Sequence, residues 1–578
     1  MGKMKSTKKT SNPSRKKSLW LWPGVIIVIL QWLIRFGVPL VVPNDEAVMI
    51  GVLGGILGGL AIVVWWLFFS RALLFERWVA IPLIIVALLV TSRFLDVSIA
   101  TANMGLMFTI YSIPVMCLAF VVWAVASSRL STSVRRISMI ATILIASGGW
   151  ILLRTDGMTS DAHQDFAWRW AKTQEERFLA KTGDEQMALP AATKTVAEWP
   201  GFRGTNRDGI IHGVTIKTDW KTSPPVELWR RPIGPGCSSF AISGELLYTQ
   251  EQRGENEDVS CYNLNTGKTV WIHSDKARFW DSHTGAGPRA TPTLCSGRVY
   301  TMGATGILNV LNASDGKVVW SRNAVSDTNA KESGWGFTGS PLVVDSVVIV
   351  ATSGKLAAYN IATGKPCWFG PDGDKGYSSP HLITIDGVAQ VLLESNVGTT
   401  SLAPADGALL WKYAWPSDDR ILQPAQMADG DILLCHSMPY SIRRISVVHE
   451  SGKWKTKERW TSDGLRPNFN DLVVHKDHVY GFNGRSLACV DLKDGKRLWQ
   501  DGRYGGQILM LADQDVILVL SEKGELALVA ATPEKFTELA RFQAIEGKTW
   551  NHPVLVGDVL VVRNSQEMVA FRLPLAGS

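Results

Sequence analysis

The sequence predicts two fold classes in one chain: an N-terminal all-α membrane domain of five transmembrane helices, followed by an all-β eight-bladed propeller. Two observations support this prediction. Apolar residues are concentrated between residues 19 and 153, and after residue 226 a short pattern that ends in tryptophan recurs every 39 to 49 residues. The 578 residues allow two or three domains, and 46% hydrophobic residues is high for a wholly soluble protein.

Five apolar segments make up the membrane domain. About 17 to 25 residues cross a hydrocarbon core, and neighbouring helices can shield a shorter segment. The predicted helices cover residues 19–42, 47–70, 78–92, 104–127 and 137–153. The glycines of GVLGGILGGL, residues 51–60, favour close helix packing. Arg35 interrupts the first helix, where it either extends toward the membrane surface or contacts a lipid or a quinone.

Basic residues predict the orientation of the helices. The tail at residues 1–18 carries seven Lys or Arg and the loops on the same side carry five more, whereas the alternate loops carry one. Cationic loops stay in the cytoplasm, so we predict a cytoplasmic N-terminus in a bacterial inner membrane and a periplasmic or external location beyond about Arg154. The first apolar segment is too long for a cleaved signal peptide. The seven cations of the tail account for the whole net charge of +7, so the rest of the chain is neutral overall. This balance argues against a nucleic-acid partner.

Residues 154–198 are predicted to form a tether. The sequence TQEE, from Thr173 to Glu176, is a capping box that favours a short amphipathic helix ending before Gly183. The aromatic stretch FAWRW, just upstream, is typical of a membrane interface. The helix is either an anchor or a spacer, and a flexible run follows from Asp184.

The repeated unit is exemplified by VDLKDGKRLW, residues 490–499. Its Gly supplies the positive φ of a tight hairpin, and alternation in the following strand places the Trp on a buried face. Spacings of this length, with strands alone, are typical of propeller blades, in which we expect the Trp to dock against the next blade. The predicted blade tryptophans are Trp229, Trp271, Trp320, Trp368, Trp411, Trp460 and Trp499, with Leu539 as a degenerate member.

The two ends of the repeat region predict how the ring closes. The region begins with an outer strand, VELWRR at 226–231, and ends with EMVAFRL at 567–573, which lacks an outer strand. Joined, the two ends form one blade and remove an exposed sheet edge. We therefore predict eight blades.

These DxxTGxxxW units resemble the tryptophan-docking repeats of the pyrroloquinoline quinone (PQQ)-like propeller superfamily, and the resemblance extends from WPGFRGTNRDG at residue 199 to residue 578. That superfamily includes quinoprotein dehydrogenases and the cofactor-free propeller of the outer-membrane assembly lipoprotein. The layout of five spans and a propeller is also similar to membrane-bound quinoprotein glucose dehydrogenases, which pass electrons to membrane quinone. Fold alone does not decide between these functions.

The resemblance implies two alternative functions. The first, which we favour, is a membrane-anchored binding or scaffold module whose partners are the membrane and either other envelope proteins or a small ligand. The second is a PQQ-dependent dehydrogenase that oxidises a sugar or an alcohol. About 44 residues in each blade leave little room for a wall around a cofactor, and the sequence has neither adjacent cysteines nor a haem motif. PQQ with calcium is therefore an open alternative rather than a firm cofactor.

Candidate site residues come from the polar or aromatic clusters that precede each innermost strand. These strand starts converge at one end of a propeller channel, where ligands bind. The candidates for the channel mouth are Arg289, Trp335, Tyr377, Ser379, His381, Gln423, Asn470, Trp550, Asn551 and His552. Strand-start polar residues have an alternative role in turns.

Metal ligands are predicted only weakly. Calcium requires oxygen ligands, and Asn470 with Asp471 is the best pair that the sequence offers. Asp281, Glu251 and Glu257 are further acids, which we expect in turns or solvated loops. The seven cysteines are expected mainly as small buried residues, with Cys261 and Cys489 at equivalent positions of different blades.

Overall fold

The computed structural model describes residues 20–42, 45–159, 164–180, 196–436 and 441–577. It divides into two compact units, Met1–Ala171 and Lys172–Ser578. The five predicted membrane helices are confirmed. The helices that are long and apolar enough to span a membrane are Trp22–Val41, Ala47–Phe69, Leu74–Thr91, Met107–Arg129 and Thr132–Leu152.

Two of these spans begin earlier than the sequence predicted. The third and fifth start with charged first turns, which contain Glu76 and Arg135, and apolar patterning does not detect such turns. The helical segments of the first unit are Trp22–Trp32, Leu33–Gly37 (π), Val38–Val41, Asp45–Val64, Trp65–Phe69 (π), Leu74–Thr91, Val97–Thr101, Ala102–Gly105 (3₁₀), Met107–Ala126, Ser127–Arg129 (3₁₀), Thr132–Gly148 and Gly149–Leu152 (3₁₀).

Glycines of the second span allow it to pack closely on the first, as predicted. A Cβ atom at Gly54 would lie 2.3 Å from Ile34 Cγ2, and one at Gly58 would lie 2.6 Å from Gln31 Cγ. Larger residues at these positions would push the two helices apart.

The predicted tether is divided between the two units. In the first unit, Leu153–Met158 pairs with Gln164–Trp168 in an antiparallel hairpin, and the exposed rings of Trp168 and Trp170 stack 5.1 Å apart. In the second unit, the predicted capping box is present at the start of the helix Gln174–Leu179. The run predicted to be flexible, residues 184–198, lies mostly outside the described residues.

The helix Gln174–Leu179 is more than a spacer, because it docks on the propeller. Glu175 pairs with Arg278 at 2.8 Å and accepts a hydrogen bond of 2.8 Å from the backbone N–H of Gly254. Phe178 is buried, and the Arg253 guanidinium lies 5.2 Å from its ring centroid.

Eight antiparallel four-stranded blades form the propeller, which confirms the predicted fold. The strands of blades 1 to 4, inner to outer, are Ala241–Ser243, Leu246–Arg253, Asn256–Asn263 and Thr269–Asp275; Thr293–Cys295, Arg298–Met302, Ile307–Asn312 and Val318–Asn323; Leu342–Val344, Val347–Thr352, Lys355–Asn360 and Pro366–Phe369; His381–Ile385, Val388–Ser395, Gly398–Leu402 and Leu409–Ala414. The strands of blades 5 to 8 are Ala425–Gln426, Ile432–His436, Ser441–Glu450 and Lys453–Ser462; Val473–His475, His478–Asn483, Ser486–Asp491 and Arg497–Arg503; Gln507–Leu511, Val516–Leu520, Glu525–Ala530 and Glu538–Gln543; Val554–Val556, Val559–Arg563, Glu567–Arg572 and Val226–Pro232.

Five further short elements of the second unit lie outside the blades. Ile210–Ile211 adds a parallel strand to blade 7, Trp280–Asp281 pairs with Gly285–Ala286, and the helices Ala324–Thr328 and Ala512–Gln514 (3₁₀) lie in loops.

Closure by the two ends of the repeat region is confirmed. Val226–Pro232 is the outer strand of blade 8 and pairs with Glu567–Arg572, with Trp229 opposite Ala570. The outer strand thus covers the edge of Glu567–Arg572 that the C-terminal strands alone would leave exposed.

Six of the seven blade tryptophans dock as predicted. Trp320, for example, donates its indole N–H to Ile361 O at 2.9 Å, and a Cβ at Gly364 would lie 2.7 Å from its ring. The turn glycine thus provides both the positive φ of 69° and the space for the ring. The same hydrogen bond is made by Trp229, Trp271, Trp368, Trp460 and Trp499.

Trp411 departs from the predicted pattern. Its indole N–H donates to Gln390 Oε1 of its own blade at 2.7 Å. The outer hairpin of the next blade, Ser441–Glu450 with Lys453–Ser462, is longer than the others and has no glycine turn at the docking position. Its Trp454 packs instead into the cluster that contains Trp411.

Leu539 replaces a tryptophan for a similar reason. The outer turn on which a tryptophan of blade 7 would dock does not exist, because the two outer strands of blade 8 come from opposite ends of the region. Trp220, which precedes the blades, lies buried 5.3 Å from Phe542 of blade 7.

All seven cysteines are unpaired, and four of them are buried. Cys261 lies opposite Trp271 and Cys489 opposite Trp499, which confirms their equivalent positions.

Candidate functional site at the channel mouth

The central channel is crossed by the segment of residues 199–211, which we call the plug. Trp199 pairs with Ile242 of blade 1, and Pro200 O accepts a hydrogen bond of 2.7 Å from Leu294 N of blade 2. The far end of the plug, Ile210–Ile211, pairs with the innermost strand of blade 7. Since the plug contacts innermost strands on both sides, the channel mouth has a floor.

Arg207 of the plug joins two blades through carbonyl oxygens. Its guanidinium donates to Pro380 O at 2.8 Å and to Ser340 O and Pro341 O at 3.0 Å each. Burial lowers the pKa of Arg207 to about 10, so the group is still a cation at neutral pH. Its hydrogen bonds to described residues all go to carbonyls, which leaves the positive charge without a carboxylate.

Arg203 of the plug forms a buried network with two residues of the blades. Its guanidinium lies 3.4 Å from Asp471 Oδ1, and Asp471 Oδ2 lies 2.7 Å from His552 Nε2. Burial opposes ionisation of Asp471, but Arg203 and the contact with His552 hold its pKa below the usual value. Phe202 packs edge-on against His552 at 5.0 Å.

His381 lies in the same electrostatic environment and is neutral. Burial, with the nearby charges of Arg207 and Arg203, lowers its pKa to about 3. Its Nδ1 has no hydrogen-bond partner among the described residues.

Hydroxyl and amide groups at the strand starts join adjacent blades. Ser239 N donates to Thr291 Oγ1 at 3.1 Å, Thr291 N donates to Ser340 Oγ at 2.9 Å, and Ser340 N donates to Ser379 Oγ at 2.9 Å. Ser379, one of the candidate residues, is therefore engaged in blade packing.

Two candidate asparagines have the same kind of role. Asn470 Nδ2 donates to Gly506 O at 2.6 Å, and Asn551 Nδ2 donates to Ser238 O at 2.9 Å. These groups fix the rim of the mouth.

The chain of hydrogen bonds is incomplete at blade 5. Gln423 stands at the position of Ser379, and its Nε2 donates only to Ile421 O at 3.4 Å. Its Oε1 is buried without a partner among the described residues. Gln423 and His381 thus leave polar atoms available on adjacent blades.

Five ring-bearing residues form an arc above this floor. We call them the aromatic arc, and they are Tyr377, Trp335, His283, Trp550 and Phe469. The Trp335 ring lies 4.7 Å from Tyr377 and 6.1 Å from His283, and the Trp550 ring lies 4.6 Å from Phe469. Four of the five are half-buried, and Tyr377 is buried.

Lys548 connects the two halves of the arc. Its Nζ donates to His283 O at 2.7 Å and lies 4.3 Å from the Trp550 ring centroid. Burial lowers the pKa of Lys548. The mouth therefore offers ring faces beside a cation, a combination that suits apolar or aromatic groups with an anionic or polar end.

Arg289 points into a loop rather than into the mouth. It forms an ion pair with Asp281 and donates to Gly285 O at 2.9 Å, so it holds the loop 279–289 closed. Glu251 and Glu257 were expected in a solvated loop, but that expectation was wrong because both are buried in paired strands of blade 1. Glu251 accepts hydrogen bonds of 2.5 Å from Ser260 and Tyr262.

Sequence reasoning missed Arg203, Arg207, His283, Phe469 and Lys548. For the two arginines the sequence contains one signal, the glycine-containing stretch GFRGTNRDG in which both lie. In the structure both adopt a positive φ of 59°, which is rare for a residue with a side chain.

Comparison with known proteins shows what the propeller is similar to. Residues 255–500 match a family model described as outer membrane protein assembly factor BamB. The repeats in these residues are similar to those of PQQ-like propellers. Its curated relatives include BamB of Shewanella oneidensis, 22% identical over 376 residues that cover 61% of this chain and 89% of the relative, and BamB of Yersinia pestis, 26% identical over 321 residues that cover 53% and 70%.

Two solved structures align with part of this chain. Quinohemoprotein alcohol dehydrogenase from Comamonas testosteroni aligns with a TM-score of 0.48 and 15% identity, over 66% of this chain and 82% of the enzyme. BamB from Moraxella catarrhalis aligns with a TM-score of 0.30 and 13% identity, over 59% and 83%.

Proposed function

We propose that this chain is a membrane-anchored bacterial envelope protein whose PQQ-like propeller is a binding or scaffold module, with the channel mouth as its binding site. The observation that carries the proposal is the plugged channel, which makes the mouth a blind funnel lined by the aromatic arc and Lys548. The names of the curated relatives, outer membrane assembly factors, support an envelope role. The occupant is either a segment of another envelope protein or a small ligand.

Photo-crosslinking tests this proposal. A benzoylphenylalanine in place of Trp335, in the full chain in whole cells, is expected to form an adduct of one defined mass. The matched control is Phe369, an aromatic residue on the outer strand of the same blade that is 41% exposed. Equal adduct patterns from the two positions would contradict a binding site at the mouth.

The alternative function, a PQQ-dependent dehydrogenase, requires a calcium site that these residues do not fit. Asp471 already lies against Arg203 and His552, and the Asn470 amide is bonded to Gly506 O. In the described ranges no group of three or more His, Cys, Asp or Glu could hold a metal ion. Oxygen ligands in larger number are what calcium prefers.

The corresponding prediction concerns cofactor uptake. The full chain, incubated with PQQ and calcium, is expected neither to acquire the absorbance of the cofactor nor to reduce an artificial electron acceptor with sugars or alcohols. Stoichiometric uptake that is lost in Asn470→Ala or Asp471→Ala, together with dye reduction, would establish the dehydrogenase instead.

A second prediction concerns localisation. We infer an inner-membrane location with the N-terminus in the cytoplasm, because twelve cations lie in the tail and the loops on its side and one lies in the alternate loops. A reporter that is active only outside the cytoplasm is expected to work when fused after Ser578 and when inserted at residue 44. An inactive fusion after Ser578 would rule out an odd number of spans.

A further inference from the structure

The first membrane span contains a buried cation, and none of the side chains that the structure describes is its counter-ion. Arg35 is 7% exposed and lies in the π-helical segment Leu33–Gly37, a distortion that is frequent at functional sites. Its guanidinium carbon is 5.0 Å from the ring centroid of Phe36 and 4.8 Å from that of Tyr111. Among the described side chains, its Nε has no hydrogen-bond partner and no carboxylate forms an ion pair with it.

Further unpartnered polar atoms lie on the same helices. Gln31, one turn before Arg35, is 1% exposed and donates its amide N–H to Gly55 O at 2.7 Å, while its Oε1 has no partner. Ser112, next to Tyr111 on the fourth span, is 2% exposed and its Oγ also has no partner in the described part of the chain.

The glycines of the second span hold Arg35 in place. A Cβ at Gly51 would lie 3.0 Å from Arg35 O, and one at Gly55 would lie 3.4 Å from Arg35 Cδ. The helices therefore pack closely around the stem of the side chain, which fixes the guanidinium between the first, second and fourth spans.

A second buried arginine of the same unit shows the usual arrangement. Arg135 lies 3.3 Å from the carboxylate of Glu76 and 5.4 Å from the Trp123 ring. Burying a charge in a low-dielectric environment is unfavourable unless it is paired. Arg135 is paired, whereas Arg35 has no counter-ion among the described side chains, and this difference favours an external partner for Arg35.

We propose that Arg35 is the anchor of a binding site for an anionic amphiphile, a molecule with a lipid-like tail and a phosphate or carboxylate head group. The fork of guanidinium N–H groups can donate two parallel hydrogen bonds to the oxygens of either head group. The rings of Phe36 and Tyr111 lie against the guanidinium and orient the fork.

The depth of Arg35 distinguishes this site from ordinary contact with surrounding lipid. Arg35 lies six residues before Val41, where the span ends, which places it about 9 Å inside that end at about 1.5 Å for each residue. The head group must therefore enter between the helices instead of remaining at the membrane surface.

Thermal unfolding of the delipidated full chain in a neutral detergent tests the proposal. Phosphatidylglycerol or oleate is expected to raise the midpoint of the membrane unit, and diacylglycerol, which has the same tails without an oxyanion, is not. Whichever of the first two acts identifies the head group as phosphate or carboxylate. An equal shift of the midpoint with inorganic phosphate alone would contradict an amphiphile as the ligand. If neither phosphatidylglycerol nor oleate shifts the midpoint, the proposed binding site is wrong.

Two variants locate the effect. Arg35→Gln is expected to lose the shift and to bind the amphiphile at least about tenfold more weakly, as expected when a charged hydrogen-bond partner is removed. Arg93→Gln, which removes an exposed arginine of the same unit, is expected to keep the shift. An undiminished shift in Arg35→Gln would contradict the proposal.

Two further measurements apply if Arg35→Gln does not fold. Arg35→Lys keeps the charge but loses the fork, and it is expected to bind more weakly than the wild-type chain; equal binding would overturn the bidentate contact. Native mass spectrometry of the gently extracted wild-type chain is expected to show one bound anionic amphiphile, and a bare chain would overturn the site.

Discussion

Deletion of residues 226–231 is expected to unfold the entire propeller rather than one blade. These residues supply the outer strand of blade 8, which pairs along its length with Glu567–Arg572. They also supply Trp229, whose indole N–H donates to Leu264 O of blade 1 at 2.8 Å. The deletion removes a strand and an interblade contact together, and it exposes a sheet edge. We therefore expect the free energy of unfolding to fall by about 5 kcal/mol or more, which is comparable to the stability of a whole domain.

Thermal unfolding of the full chain measures the effect, with the near-ultraviolet signal of the buried tryptophans as the probe. The control is removal of the last two residues, since Leu575 and Ala576 still pair with Ile216 and Thr215. Equal midpoints for the two truncations would show that closure does not stabilise the ring.

The fold could be predicted because its signal is repeated. Each turn glycine provides a positive φ, and each tryptophan provides a buried ring. Because the two recur together in successive units, they identify the blades unambiguously. The exception at Trp411 could not be predicted, because its cause lies in the length of the next blade's hairpin. A ten-residue unit contains no information about its neighbour.

The site could be predicted only in part. Strand-start position identified Trp335, Tyr377 and Trp550, which contribute to the aromatic arc, but it identified Ser379 and Asn470 equally well. A hydroxyl or an amide that joins two blades has the same sequence signature as one that binds a ligand, since both require a polar group at a strand start.

The plug was missed for a different reason. Arg203 and Asp471 are 268 residues apart, and pattern reading along a single chain does not reveal such a contact. Lys548 and His283 of the arc are similarly distant, at 265 residues. Long-range pairs of this kind become visible only in three dimensions.

Asp471→Ala is expected to destabilise the propeller by about 3–5 kcal/mol, the usual cost of removing one partner from a buried ion pair. The substitution leaves Arg203, which is 4% exposed, without a carboxylate and leaves His552 without its 2.7 Å contact. Chemical denaturation of the full chain at neutral pH measures the change in the free energy of unfolding. The matched control is Asp463→Ala, which removes a surface pair with Arg466 and is expected to cost less than about 1 kcal/mol.

The pH dependence of the same variant provides an independent check. The pKa of Asp471 is lowered in the folded state, so its contribution is complete above the ordinary pKa of an aspartate and is lost as the pH falls through the lowered value. Asp471→Ala should therefore lose most stability relative to wild type at neutral pH, and the difference should shrink in acid. A double variant, Arg203→Met with Asp471→Leu, removes both charges and should recover much of the loss. If the double variant is as unstable as the sum of the two single variants, the arginine and the aspartate do not act as a pair, and their ion pair does not hold the plug in place.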